Sequence, residues 1–312
     1  MPMKKLTLKD QGNLCYTISA LNQPRLHVKP GEVIAIETQD AFSGQIRNSN
    51  DRRDLIKMPY TNPQSGPIFI DGAQPGDTLA VHVRDIQPLT GQGATRLVSH
   101  WYSDRADSDS LLKLLNLELP HGTRICKIEN QTVHVGTFSL RYKPMLGTIA
   151  TASPMETVLT NFPGPNGGNM DITEVTIGAT LYLPVSVEGG LLHLGDAHAV
   201  QGEGELSGAA VEMPSLTTIK VDLIKQHPIA WPRIENKHDI FVITATQPGR
   251  TLEDAIRLAF LELTFWIEEE YSIKRWTAYE LLTMAAKVRL GNFWTVAVGL
   301  PKEYLVKAKI HE

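Results

Sequence analysis

The sequence predicts a mainly β fold, a β-sandwich with a barrel-like region, and a small α+β portion at the C-terminal end. Two observations carry this. Short runs rich in β-branched and aromatic residues, separated by Gly and Pro, recur through roughly the first 250 residues. Stretches with sustained helical spacing come only after them. Regularly spaced short strands favour a sandwich or barrel over an alternating βαβ sheet.

In chain order, Val33-Ile-Ala-Ile-Glu37, Ile68-Phe-Ile70, Thr78-Leu-Ala-Val-His-Val83 and Thr132-Val-His-Val135 read as strands, punctuated by Pro30-Gly31, Gly66-Pro67 and Pro75-Gly76. Residues 108–117 resist this pattern and read as a short helix. Residues 172–198 read as a long hairpin with arms 172–185 and 191–198. Glu188-Gly189-Gly190 would supply the turn, because glycine tolerates positive φ. Thr251 with Asp254 resembles a capping box, and Leu252, Ile256, Phe260, Leu263 and Ile267 follow at helical spacing. Thr277-Ala-Tyr-Glu280 opens a second helix carrying Leu281, Met284, Ala285 and Val288, with Gly291 placed to end it. Residues 293–298 read as a last strand, and Phe265, Trp266, Tyr271 and Trp276 as core. The expected organisation is 1–160, 161–250 with the active site, and 251–312, forming one compact unit.

At 312 residues the chain has room for one large domain or two of roughly 150 residues. Apolar residues at 42% and charged residues at 21% are ordinary for a globular protein, which argues against disorder. A net charge of −4 provides no basic excess to neutralise phosphates, so nucleic acid is a poor partner, and an anionic membrane gains nothing. No apolar run approaches the roughly 18 residues of a membrane span, and the N-terminal residues lack an apolar signal core. Cys15 and Cys126 form no CxxC pair, which argues against a zinc ribbon or thioredoxin-like site, and the low count suits a reducing compartment. A cytoplasmic protein is the expectation.

One window concentrates chemistry: Gly195-Asp-Ala-His-Ala-Val-Gln-Gly-Glu-Gly-Glu205. Side chains alternate along an extended chain, so Asp196 and His198 share a face, and a carboxylate with an imidazole suits Zn²⁺. Gly202 and Gly204 free the backbone to bend and return Glu203 or Glu205 as a further ligand or general base. Pro163-Gly-Pro-Asn-Gly-Gly-Asn169-Met170-Asp171 delivers another acid. In a regular hairpin Asp171 lies opposite residue 206, beside Glu205. Asp196 is then on the order of 30 Å away at about 3.3 Å per residue, unless the strand turns sharply. His193 sits at odd spacing from both Asp196 and His198 and reads as packed away from them. The same acids in a Gly-rich turn also fit a plain solvated loop. No G-x-S-x-G elbow or H-E-x-x-H occurs, which favours a metal as the activator if this is a hydrolase.

These residues, with Glu37-Thr-Gln-Asp-Ala-Phe-Ser-Gly44, Asn62-Pro-Gln-Ser-Gly-Pro67 and Gly72-Ala-Gln-Pro-Gly-Asp77, resemble the acetamidase/formamidase family in order and spacing. The resemblance implies hydrolysis of formamide, acetamide or a similar short amide to acid and ammonia. It also implies a divalent metal, zinc with calcium as a possible neighbour. Asp171, Asp196 and His198 are the implied ligands, with Asp40 as a further acid of the site. Glu205, Gln201 and Glu203 are the catalytic candidates: Glu205 as general base, and Gln201 or Asn169 as donor to the oxyanion. Glu203 stands where the family carries Asp, Asn166 where a larger residue is usual, and residues 97–109 match nothing familiar. The partner expected is a small amide, and the assembly a homo-oligomer, taken as a dimer. The alternatives are hydrolysis of another small C–N bond, or a non-catalytic metal- or ligand-binding β protein.

Overall fold

The computed structural model describes residues 3–52, 55–57, 61–97 and 122–308. Its body is strand-rich, and the helices gather at the C-terminal end. One sheet has nine strands in the order Lys4–Leu6, Val33–Thr38, Ser215–Ile224, Thr78–Pro88, Thr180–Pro184, Arg233–Glu235, Asp239–Ala245, Thr295–Pro301 and Lys287–Leu290. The other is built around Leu192–His198, which pairs antiparallel with Met145–Ala150, Gln64–Ile70 and Glu212–Met213. Both sheets send apolar side chains into one buried cluster, including Ile68, Leu146 and Leu194 from one and Val81, Leu181 and Phe241 from the other.

The period of two is visible in the strand Asp239–Ala245. Phe241 and Ile243 face the cluster between the sheets, whereas Ile240 and Val242 face the helix Leu252–Tyr271. That helix presents Ala259, Leu263 and Ile267 to them, and its N-terminus is closed by the expected Thr251–Asp254 capping box.

The mainly β body with a C-terminal α+β portion is as the sequence predicts; several details differ. Among the described residues neither sheet closes on itself into a barrel. Residues 172–198 do not form a hairpin. Thr180–Pro184 pairs with Thr78–Pro88 in the nine-stranded sheet, while Leu192–His198 belongs to the other. Gly189, Gly190 and Leu191 are consecutively left-handed, and they carry the chain across from one sheet to the other instead of folding it back. Strand propensity identified both runs correctly, but partner choice depends on distant chain.

The second helix spans Arg275–Ala285, and Val288 lies in the edge strand Lys287–Leu290. Gly291 does not end the helix. A Cβ there would come within 2.1 Å of the Met170 carbonyl, so glycine allows two backbones to touch. The last strand runs Thr295–Pro301, and a helix Lys302–Ala308 follows it. Trp276 is 75% exposed, not core, and residues 108–117 lie outside the described residues. Among the described residues no helix is long and apolar enough to cross a membrane.

Candidate active site

Two adjacent strands bring the site together. Asp196 and His198 end the strand Leu192–His198, and Gly147 lies in its neighbour, Met145–Ala150. The Gly147 carbonyl accepts from the Met170 and Asp171 N–H groups, which places Asp171 beside the same strand pair. A Cβ on Gly147 would lie 2.5 Å from Asp171 Oδ1, 2.7 Å from Asp196 Oδ2 and 2.9 Å from His198 Cε1. The missing side chain is the space in which these three groups meet. Asp171, Asp196 and Glu205 all have left-handed backbones (φ 51°, 56° and 45°), a conformation that costs about 1–3 kcal/mol for a residue other than glycine and concentrates at functional sites.

Ligand atoms of Asp171, Asp196 and His198 lie within 4.8 Å of one another, as do those of His198, Glu205 and Glu212. The 30 Å separation expected from a hairpin is therefore wrong, because the hairpin does not exist. Glu212 was not anticipated. It pairs with His198 across the strand Glu212–Met213, and its one signal in the sequence is a lone acid in the apolar run Ala209-Ala-Val-Glu-Met213.

The other groups hold these ligands in place. Asp171 Oδ2 accepts from Asn169 Nδ2 (2.9 Å) and Asn292 Nδ2 (2.8 Å). Asp196 Oδ2 accepts from Thr148 Oγ1 (3.0 Å) and Asn62 Nδ2 (3.3 Å). Gln201 donates its amide N–H groups to the carbonyls of Asp171 (2.6 Å) and Gly291 (3.3 Å), which turns its oxygen toward His198 Nδ1 at 2.8 Å. That oxygen can only accept, so His198 Nδ1 carries a proton and Nε2 faces the carboxylates. Both amide N–H groups of Gln201 are thus committed, so it is not available as the oxyanion donor expected from sequence, whereas Asn169 gives one N–H to Asp171 and lines the cavity beside the cluster.

Asp171 Oδ1, His198 Nε2 and Glu212 Oε2 are all buried without a hydrogen-bond partner. Nε2 lies 3.1 Å from Glu212 Oε2 and 3.4 Å from Asp196 Oδ1, without hydrogen-bond geometry. Burial, and then the Asp196 charge, pushes the Asp171 carboxyl up to about 8. Burial pushes Glu212 up to about 7, with His198 opposing. For His198 burial disfavours the charge, but Glu212 and Asp196 outweigh it and hold the imidazole well above its ordinary value. Burial also opposes ionisation of Asp196, and His198 with the hydrogen bonds keeps its carboxyl low. Glu205 is half-buried as a residue, but its carboxyl end is enclosed. That enclosure, then the Asp171 charge, raises it well above the usual range. Several carboxyls around one imidazole, with bare acceptor atoms facing inward, lack a positive charge. An imidazole nitrogen with carboxylate oxygens is a donor set that fits a divalent cation, Zn²⁺ in particular.

Asp40 and Glu203 are not part of these groups. Asp40 is buried, but Oδ1 accepts from the Phe42 and Gly44 N–H groups and Oδ2 faces Arg47. Glu203 is exposed, accepts from the Leu290 N–H at 2.7 Å and pairs with Arg289, fastening the turn to the edge strand. Asn166 bonds Thr151, Ala152 and Ser186, away from the ligands. His193 is packed and fully satisfied, as expected from its spacing.

Asp196, Glu205 and Glu212 line a cavity of about 50 Å³, whose wall also includes Phe42, Arg96 and Trp294. Sites for drug-sized ligands run about 300–1,000 Å³, so this one suits a molecule of few heavy atoms.

The sequence pattern of the acetamidase/formamidase family matches residues 22–161 and 154–258. An acetamidase structure from Yersinia enterocolitica is 39% identical with a TM-score of 0.89, covering 97% of this chain and 93% of that one. The acetamidase of Mycolicibacterium smegmatis is 29% identical over 255 residues, 64% of this chain and 63% of the relative. The formamidase of Methylophilus methylotrophus is 28% identical over 247 residues, 64% and 61% of the two. The chain thus spans somewhat under two thirds of the length of the curated relatives it matches. With its fold shared nearly end to end and its chemistry gathered in the matched segments, the chain belongs to the acetamidase/formamidase family.

Proposed function

We propose that the protein hydrolyses a short linear amide, of the formamide or acetamide class, to the carboxylic acid and ammonia. The observation that carries this reading is the trio of buried, unpartnered atoms of Asp171, His198 and Glu212, clustered beside a very small cavity that Asp196 and Glu212 line. Asp171, Asp196, His198 and Glu212 would hold a divalent cation, zinc being the best fit to the imidazole. Carboxylate-rich donors also leave calcium as a second option. Such a cation supplies Lewis acidity toward a carbonyl and toward water.

The chain's own groups do the rest. Glu205 stands at the cavity with an enclosed carboxyl whose affinity for protons is raised, which suits a group that must take a proton and return it. It accepts a proton as water attacks the carbonyl carbon, then passes it to the amide nitrogen as the C–N bond breaks and ammonia leaves. Gln201 holds His198 in one tautomer and binds the Asp171 backbone. Arg96, buried at the cavity wall, brings a fixed positive charge toward the developing oxyanion.

The test is metal content by mass spectrometry together with ammonia release from formamide and acetamide, on the wild type and on Glu205→Gln. The wild type should carry metal and release ammonia. Glu205→Gln should keep the metal and lose about 10²–10⁴-fold in kcat, the usual worth of a general base. Full activity in Glu205→Gln would remove it from the chemistry. Absence of both metal and turnover, after metal is added back, would sink the reading.

A further inference from the structure

A second cavity, of about 240 Å³, lies on the opposite face of the nine-stranded sheet from the sandwich core. Leu181, Leu183 and Ile234 point into that core, while Tyr182 and Arg233, paired between them, face the other way toward the end of the helix Leu252–Tyr271. Arg233 lines this cavity and is 5% exposed. Its guanidinium lies over the Trp266 ring, 5.1 Å from the centroid, and its only ion pair among the described residues is with Glu269 at 3.8 Å. No hydrogen bond to a described residue satisfies its N–H groups. A buried guanidinium without acceptors is costly, and its planar fork matches a carboxylate.

The neighbouring acids narrow the choice of ligand. Both Glu235 oxygens are taken, one by Lys302 and the other by the Tyr182 hydroxyl. Glu269 and Glu270 are exposed at the helix end, with Glu270 3.4 Å from His227. Glu262 also acts on Arg233 from the same helix. A bare anion would face this negative rim. A molecule carrying its own ammonium group would meet it favourably. Trp266, Ile224 and Ile229 supply an apolar wall.

We propose that this cavity binds a small apolar α-amino acid, its carboxylate on Arg233, its ammonium toward Glu270 and its side chain against Trp266. This site is separate from the amide-hydrolysis cleft and does not rest on that reading. Norleucine is the probe. Hexanoate is the same molecule without the ammonium group, and pentylamine the same without the carboxylate. Calorimetric titration of the intact protein should show saturable one-to-one binding of norleucine, with each fragment at least about tenfold weaker because one charged contact is lost. Arg233→Met should weaken norleucine by a similar factor. Because Arg233 is buried, the exposed Glu270→Gln provides a second variant, in which norleucine should bind no better than hexanoate. No saturable binding of norleucine, fragments that bind as tightly as norleucine, or unchanged norleucine binding in folded Arg233→Met or Glu270→Gln would overturn the proposal.

Discussion

The two ends of the strand Leu192–His198 are equally buried and carry one histidine each, yet they differ in kind. At the start, His193 is fully enclosed and burial lowers its pKa to about 4. Its Nδ1–H donates to the Leu191 carbonyl at 2.9 Å, and Nε2 accepts from Asn22 at 3.1 Å. At the other end, His198 has only Nδ1 satisfied, and Nε2 faces carboxylates with no hydrogen bond. Burial alone therefore does not mark function. What separates the two histidines is whether the polar accounting closes without an added charge.

The sharpest break of this comparison is His198→Ala. It should remove metal and ammonia release together while leaving a folded protein; a metal-replete, active variant would erase the distinction between the two ends.

A second effect follows from Asp171 in protein stripped of metal. Its pKa rises from 3.8 to about 8 on folding, so the folded state binds the proton more tightly than the unfolded chain. The stabilisation is fully present below about pH 4 and is lost as pH rises toward about 8. The slope reaches at most about 1.4 kcal/mol per pH unit. Denaturant titrations at several pH values should show this decline in stripped wild type, a shallower one in Asp171→Asn, and little of it once metal is restored. Equal slopes for wild type and variant would mean that Asp171 does not feel the cluster.

The smallest effect belongs to His193→Ala. It takes the acceptor from one Asn22 N–H, whose amide still bonds the Thr17 carbonyl, and a donor from the Leu191 carbonyl, at about 1–3 kcal/mol for each buried group left unmatched. The melting temperature should fall, with metal content and activity per folded molecule unchanged. Loss of metal in this variant would show that the two ends of the strand are coupled.

Much of the site was legible in the sequence because its signals are local. Asp-x-His on a strand requires only alternation, and the Gly-rich turn that follows announces a bend. Those features located Asp196, His198 and Glu205, and the family resemblance added Gln201. Glu203 lies in the same motif, yet it faces solvent, because it sits in the turn at Gly204, where strand alternation no longer sets the direction of side chains. Asn62, Thr148, Asn292 and Gly147 were not legible. Their role is to orient carboxylates that arrive from other parts of the chain, and no local pattern marks a residue for a distant neighbour.

By itself the sequence determined the β character of the body, the capped helix from Leu252, and the family. Alternation, capping and composition are properties of neighbours along the chain. Only the tertiary structure decided that residues 172–198 cross between two sheets, that Asp171 and Glu212 close on His198, and that Asp40 stays with its own turn. Strand partners are chosen by which buried faces fit together across long separations, and a cluster of like charges exists only where several such choices converge.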